Sequence, residues 1–329
     1  MLLYIGEFLF MAKDTRLAIV IPCYNEEGLI YSTTDRLVEL MDELISREKI
    51  SPDSYVYLVN DGSRDKTWYE IQVACEKHKG RVKAAKFSRN FGNQKALLAG
   101  MLGAYDIGCD AVVTIDADLQ QDETKIEEFV EKYDNGCKVV FGVRNDRKTD
   151  DFIKKFTALA FYKLMNILGV NIIKNHSDYR LVSKEALEVL SRFDETDLFL
   201  RGFFHEIGFK TDVVNFDVKP REVGKSKFNL LSLTGLAING ITSYSIVPLK
   251  MICVLGILSM LFGFVTGLVV IYAKLVYNDS PNGWSTAIVL TSFFGGMQLF
   301  CLGIVGEYLG QIFREVKHRP RYLVEEEIL

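Results

Sequence analysis

The sequence predicts an α/β domain with a mostly parallel sheet and helices on both faces, continued by amphipathic segments and a C-terminal two-helix transmembrane hairpin. Three observations carry this. Short β-branched runs alternate with stretches of helical periodicity through the first 150 residues. Acidic clusters stand directly behind three of the predicted strands, where open α/β sheets bind their ligands. Residues 251–273 and 285–306 are runs of 23 and 22 residues without a charge, only 11 residues apart. A bilayer core takes roughly 20 residues of helix, so both runs are long enough to cross one. A buried hairpin in a soluble core is the weaker alternative.

Strand signals fall at 17–22, 55–59, 82–87, 111–115 and 139–143, and helical spacing at 26–47, 66–78, 94–105 and 123–133. In the first helical stretch Leu29, Leu37, Leu40, Met41 and Leu44 recur on one face, as packing on a sheet requires. Met1–Phe10 is apolar but short, carries Glu7 and has no basic start. Residues 1–16 therefore read as an N-terminal extension, neither signal peptide nor span. Over 151–170, Phe152, Phe156, Leu159, Tyr162 and Met165 keep a helical period, with Lys154, Lys155 and Lys163 between them. Such a helix lies either on a membrane surface or on the sheet. Strands are expected again at 179–182 and 211–218, with helices at 184–191 and 198–207. The resulting division is an α/β domain over 17–227, an amphipathic juxtamembrane segment over 228–250, two spans within 251–310 and a charged tail over 311–329.

Residues 1–150 carry a net charge of −6, residues 151–250 a net of +3 and residues 251–329 a net of −1. The basic middle third lies just ahead of the apolar runs, facing anionic headgroups, phosphates or plain solvent. Lys225, Lys227 and Lys250 precede the runs, Arg314, Lys317, Arg319 and Arg321 follow them, and the linker between holds only Lys274. The positive-inside rule then puts both chain ends in the cytoplasm and the 274–284 linker outside, a multi-pass protein of the cytoplasmic membrane. The 6 cysteines show no C-x-x-C pair and the 4 histidines do not cluster, which argues against a zinc site and a Cys/His nucleophile pair. The cysteines read as buried thiols in a reducing compartment. There is no G-x-x-x-x-G-K-[ST], G-x-G-x-x-G or G-x-S-x-G, so a P-loop NTPase, a nicotinamide dehydrogenase and an α/β-hydrolase each lack their signature.

The first strand runs into Pro22-Cys23-Tyr24-Asn25-Glu26-Glu27, the second into Asn60-Asp61-Gly62-Ser63-Arg64-Asp65, and the fourth into Asp116-Ala117-Asp118-Leu119-Gln120. Two carboxylates at i and i+2 behind a strand suit a hard cation whose shell is completed by water or phosphate oxygens. Such a cation neutralises a diphosphate leaving group. One D-x-D alone is more often a turn or a helix cap; three acidic clusters on one rim are a stronger signal.

The motifs IPCYNEE, VNDGSRDKT, FSRNFGNQKALLAG and DADLQQ resemble those of the inverting family 2 glycosyltransferases with the GT-A fold. FGVRNDRK, SDYRLVS, FLRGFFHEIGFK, VGKSKF and two apolar runs followed by GEYLGQIFREVKHRP resemble the polyprenyl-phosphate branch. That branch includes dolichyl-phosphate mannose synthase and bacterial undecaprenyl-phosphate glucosyl- and N-acetylglucosaminyltransferases. The likeness runs from Leu17 to Leu323. It implies that Pro22, Tyr24 and Glu26 line the nucleotide pocket, that Asp61 contacts the uracil or ribose, and that Ser63 closes the same turn. Asp116 and Asp118 would be the D-x-D pair, with Asp118 and Gln120 reaching Mg²⁺ or Mn²⁺ beside the diphosphate. Arg144 would meet a phosphate, Arg180 would shape the sugar or phosphate pocket, and Arg221 and Lys227 would belong to a segment closing over the site. Each has a plainer counterpart. Glu26 can be a charge favoured at a helix N-terminus, Asp61 an Asx-turn residue, Arg144 a surface charge and Arg180 a structural partner of Asp178.

The reaction so implied moves a hexose from UDP-glucose or UDP-N-acetylglucosamine to undecaprenyl phosphate with inversion. A phosphate monoester is already anionic at neutral pH, so the acceptor needs no strong general base. The enzyme's task is to align two phosphates and neutralise the departing nucleotide. The product would be a lipid-linked sugar donor for cell-envelope glycans, with a flippase and a periplasmic or extracellular glycosyltransferase downstream and no nucleic-acid partner. Gly295–Gly296, Gly303 and Gly306 suit close helix packing, between the spans or between subunits of a homo-oligomer. A processive synthase would need a Q-x-x-R-W segment and usually more spans, and this chain has neither. A scaffold without catalysis would not need Asp61, Asp116 and Asp118, and a flippase would need many more spans.

Overall fold

The computed structural model describes residues 15–145, 176–196, 198, 200–219, 245–277 and 283–329. The expectations for residues 1–14, for the helix over 151–170 with Lys154 and Lys155, for Arg221 and Lys227, and for most of the 228–250 segment lie outside the described residues. The chain divides into two units, one holding the sheet and one holding the long apolar helices.

Eight strands form one sheet: β1 Leu17–Cys23, β2 Tyr55–Asn60, β3 Val82–Phe87, β4 Ala111–Thr114, β5 Val139–Arg144, β6 His176–Ser183, β7 Thr211–Phe216 and β8 Val324–Ile328. Their order is β7-β5-β6-β4-β1-β2-β3-β8. The central β3-β2-β1-β4 block is parallel, as is β5 with β7, while β6 runs antiparallel to β4 and β5 and β8 antiparallel to β3. The sheet is thus mixed around a parallel centre. All seven residues of β1 are buried because helices cover both faces, which is why the strand reads as a continuous apolar run.

The flanking helices are α1 Ile30–Ser46, α2 Thr67–Lys77, α3 Asn93–Ile107, a 3₁₀ turn Glu123–Lys125, α4 Ile126–Asp134, α5 Lys184–Ser191 and α6 Leu200–Glu206. Leu17, Ile19 and Ile21 point into the core layer with Leu37, Met41 and Phe129. Ala18 and Val20 point into the opposite layer with Leu97, Met101, Leu187 and Phe204. That two-residue alternation is what a strand buried on both faces requires. α3 sits so close to β1 that a Cβ at Gly100 would stand 2.3 Å from Val20 Cγ1.

Three differences from the sequence reading have physical causes. Helix α1 starts at Ile30 rather than 26, because Asn25 (φ 52°) and Gly28 (φ 87°) take left-handed conformations that no helix continues. β6 is eight residues long rather than four, because it is buried along its whole length between β4 and β5. β8 had no apolar signal. Its Glu325–Glu327 run reads as a solvated tail, yet its backbone caps the exposed edge of β3.

In the second unit, α7 spans Val247–Tyr277 and α8 spans Trp284–Val316. Both extend beyond the charge-free runs. Within them, Val247–Val269 and Phe293–Val316 are long and apolar enough to cross a membrane. The helices touch through the rings of Phe262 and Phe294 and through Ser259 Oγ, 3.4 Å from Met297 Sδ. Tyr308 donates its hydroxyl to the Ser245 carbonyl at 2.5 Å.

Candidate active site

β1 and β2 are neighbours and parallel, so their C-terminal ends deliver two loops side by side. The loops are fastened to each other. Asn25 N donates to Ser63 Oγ at 3.0 Å, Arg64 N to Asn25 Oδ1 at 2.9 Å, Glu26 N to Thr67 Oγ1 at 2.9 Å, and Gly28 N to both Glu70 carboxylate oxygens at 2.9 and 3.0 Å. Ser63 is therefore a loop fastener, as a turn-closing residue should be.

Asp61 is 2% exposed. Its N–H donates to the Cys23 carbonyl at 2.8 Å. Its carboxylate accepts Phe91 N at 2.6 Å and Gly92 N at 2.9 Å, from the loop that enters α3. Burial raises its pKa above the ordinary value, and these two N–H groups pull it partly back. The Asx-type bond in this turn belongs to Asn60, whose Oδ1 accepts Ser63 N at 3.3 Å. At Gly62 (φ 60°) a Cβ would stand 2.2 Å from the Arg89 carbonyl carbon, so only glycine lets the two loops meet. Between them lies a small cleft of about 100 Å³ lined by Pro22, Cys23, Tyr24, Asp61, Asn90 and Asn93. Pro22, Tyr24 and Asp61 thus line one cleft. Glu26 sits in the same loop, where its charge adds to burial in raising the Cys23 thiol.

The second acidic group follows β4. Gln121, 1% exposed, clamps Asp116 at two points: Asp116 N donates to its Oε1 at 2.7 Å, and its Nε2 donates to Asp116 Oδ2 at 2.6 Å. Asp118 Oδ1 accepts Gln120 N at 3.2 Å. From α1, Thr33 Oγ1 donates to the Ala117 carbonyl at 2.7 Å. From the end of β7, Lys219 N donates to the Gln120 carbonyl at 2.9 Å, while its Nζ pairs with Glu123 at 2.5 Å and Asp122 at 3.2 Å. Arg36 holds the other Glu123 oxygen at 3.1 Å. The loop is fixed from two sides before any ligand arrives.

Burial, then the nearby Asp178 and Asp118 carboxylates, push Asp116 up to about 7, against the pull of Arg144 and Arg201. Asp178 behaves oppositely. Burial raises it, but Arg201 and Arg180 outweigh burial and hold it well below the ordinary range. Arg201 grips it with two bonds, Nε at 3.0 Å and Nη2 at 2.8 Å, and Gln94 Nε2 reaches it at 3.3 Å. Arg180 is 1% exposed; its Nη2 binds Asp178 at 2.6 Å, its Nη1 donates to the Leu200 carbonyl at 3.1 Å, and it stands over the Phe204 ring. Of its two readings the structure realises the structural partner. A guanidinium so enclosed orients Asp178 and does not reach out to a phosphate.

Arg144, at the end of β5, keeps a buried Nε with no hydrogen-bond partner among the described residues, while its charge bears on Asp116. A buried donor without an acceptor beside an acidic loop suits an incoming oxyanion. Asp116, Asp118 and Gln120 are all oxygen donors on one loop; among the described residues no group of three His, Cys, Asp or Glu side chains forms a ready-made metal cluster. The sequence reading gave no individual role to Gln121, Arg201, Gln94, Asn90 or Asn93. All five lie inside the quoted motifs. For Gln121, Arg201 and Gln94 the signal was that buried carboxylates require partners.

A family model described as Glycosyl transferase family 2 matches residues 18–191. The uncharacterized glycosyltransferase YkoT of Bacillus subtilis (strain 168) is 45% identical, covering 94% of this chain and 91% of its own length. The bactoprenol glucosyl transferase of Shigella phage SfV is 36% identical, covering 95% of this chain and 99% of its own. Among solved structures, the mannosyltransferase PcManGT from Pyrobaculum calidifontis, in complex with GDP-Man and Mn²⁺, is 14% identical with a TM-score of 0.43, covering 89% of this chain and 87% of that one.

Proposed function

The chain belongs to glycosyltransferase family 2, and from that premise we propose that it moves glucose from UDP-glucose to bactoprenyl (undecaprenyl) phosphate with inversion at the anomeric carbon. The observation that carries this reading is the likeness, over nearly the whole chain, to bactoprenol glucosyl transferases. It extends over the acidic rim and the two apolar helices together.

The cleft of Pro22, Tyr24 and Asp61 takes the nucleotide. Its polar groups are neutral or already hydrogen-bonded, which suits a base and ribose. Asp116 and Asp118, with Gln120, fit a divalent cation. Gln121 occupies one oxygen of Asp116, and a cation beside it would offset the burial and the two neighbouring carboxylates that raise its pKa. Such an ion, Mg²⁺ or Mn²⁺, would supply charge neutralisation for the diphosphate. Arg144 offers its Nε, which has no partner among the described residues, to a phosphate oxygen. Asp178, locked by Arg180 and Arg201, fixes the wall opposite the D-x-D loop. No His–Asp pair is needed, because the attacking phosphate oxygen is anionic already. Displacement in line with the departing UDP inverts the anomeric centre.

The hairpin α7–α8 holds this chemistry at the membrane, with the catalytic domain and both termini cytoplasmic and the interhelical linker outside. This raises the local concentration of acceptor headgroups without adding contacts. The product then serves a flippase and an extracytoplasmic glycosyltransferase.

The test uses the full chain in membranes with undecaprenyl phosphate, Mg²⁺ or Mn²⁺, and labelled UDP-glucose, UDP-N-acetylglucosamine and GDP-mannose in parallel. Label should enter the lipid fraction from UDP-glucose. No lipid-linked product from any donor, with folded protein, overturns the enzyme reading; product from UDP-N-acetylglucosamine alone overturns the sugar. A reporter in the linker at 278–282 should score as outside.

A further inference from the structure

After α8 and a short link the chain returns to the sheet unit. β8 pairs with β3, placing Ile328 opposite Ala84, Glu327 opposite Ala85 and Glu326 opposite Lys86. The register then shifts between Lys86 and Phe87, and Phe87 lies opposite Val324. Just past the shift, Ser88 N donates to the Leu323 carbonyl at 3.1 Å. The half-buried Tyr322 ring stacks on Phe87, centroids 5.2 Å apart and planes 14° apart. Phe87 in turn meets Phe91 edge-on at 5.6 Å. Phe91 and Gly92 are the residues whose N–H groups hold the Asp61 carboxylate.

β8 is also fastened by its side chains. Glu326 accepts Trp68 Nε1 at 3.1 Å and Gln72 Nε2 at 3.3 Å, and Lys86 pairs with Glu325 at 3.0 Å. Covering an exposed sheet edge explains the backbone pairing. It does not explain why the ring contacts run beyond the strand, toward the loop at 88–92. That loop must surrender its conformational freedom for both N–H groups to reach Asp61 together, and ordering a loop in advance saves that cost when a ligand binds.

We propose that Tyr322, carried by β8, is a positioning residue of the donor cleft: the Tyr322–Phe87–Phe91 stack sets residues 88–92, and these hold Asp61 in the cleft wall. The functional consequence rests on the reading of this cleft as the nucleotide site. The C-terminal segment is then part of the donor site, although it follows the apolar helices in sequence.

The test compares Tyr322→Ala, Tyr322→Leu and Tyr322→Phe in the full chain in detergent. Hydrogen exchange at the Phe91 and Gly92 amides is read without donor, and KM and kcat for UDP-glucose are read in the transfer assay. Tyr322→Ala should speed exchange at both amides and raise KM by roughly three- to tenfold with kcat unchanged, the loss of one aromatic pair. Tyr322→Phe should restore wild-type values. Tyr322→Leu fills the space without the stacked ring and should follow Tyr322→Ala in direction, which covers the case where alanine destabilises the chain. Unchanged exchange at Phe91 and Gly92 in the Leu or Ala variant, with only a lower melting temperature, would overturn the proposal and leave β8 as an edge cover. Exchange needs no donor, so absence of transfer would count against the assigned reaction while this result stood by itself.

Discussion

The two acidic groups at the rim of the sheet are built on opposite principles. In the cleft at β1 and β2, Asp61 faces neutral backbone N–H groups, and among the described residues no charged group contends for it. At β4 and β6, Asp116, Asp118 and Asp178 crowd one another and are balanced by Arg144, Arg180 and Arg201. A neutral, hydrogen-bonded cleft discriminates by shape and donor pattern. A site of opposed charges is suited to stabilising a diphosphate as it departs. Under the proposed function one rim would separate recognition from charge handling, and changing one carboxylate on each side tests that separation.

The largest effect is expected at the charged side. Asp118→Asn keeps the shape and an acceptor oxygen but removes one charge from the D-x-D loop. Transfer to lipid should fall by about a hundred- to a thousandfold, the scale of losing a central electrostatic contact. Uridine binding in the cleft and the melting temperature should stay near wild type. Full transfer by the variant, measured as initial rate of labelled lipid, would break the assignment of this loop to charge handling.

Asp178→Asn should act first on the fold. It takes from the enclosed Arg180 the carboxylate it is bonded to, leaving only the charge of Asp116, and stranding one member of a buried ion pair costs about 3–5 kcal/mol. A melting temperature unchanged in the full chain would mean that Arg180 finds another partner and that the wall opposite Asp116 is less fixed than its bonds indicate. Asp61→Asn offers no such stranded cation, so its loss of stability should be smaller.

How much of this was legible beforehand follows from where sequence signals come from. The central strands and α3 announce themselves because burial on both faces demands unbroken apolar runs and strict helical spacing. Asp61, Asp116 and Asp118 stand out because carboxylates behind strands are conspicuous. Gln121 and Arg201 do not, since their importance lies in which buried group they touch, and that contact is made across the fold. Arg180 shows the limit most clearly: a cation beside the site in sequence could serve a ligand or serve Asp178, and only the packing of Leu200 and Phe204 around it decides. β8 was invisible for a related reason. An edge strand of three glutamates has no apolar pattern, and its partners Trp68, Gln72 and Lys86 lie far away in sequence.

The smallest effect is also the most direct comparison of the two sides, because Asp61 and Asp178 should give opposite pH signs. Asp178 has a folded pKa below the ordinary 3.8, so its stabilisation is present above 3.8 and is lost only as pH falls through the lower folded value. Asp61 has a folded pKa above 3.8. The folded state therefore holds its proton more tightly than the unfolded chain, and that advantage fades as pH rises from 3.8 through the folded value. The amide introduced by Asp61→Asn does not titrate. The stability deficit of that variant relative to wild type should accordingly shrink as pH rises across that window. The deficit of Asp178→Asn should be at full size there and fall away only in stronger acid. Denaturant melts of both variants against wild type, in steps from acid to neutral pH, read the two slopes side by side. Slopes of the same sign would mean that the Asp61 carboxylate meets positive charge after all, and the division between a neutral cleft and a charged rim would no longer hold.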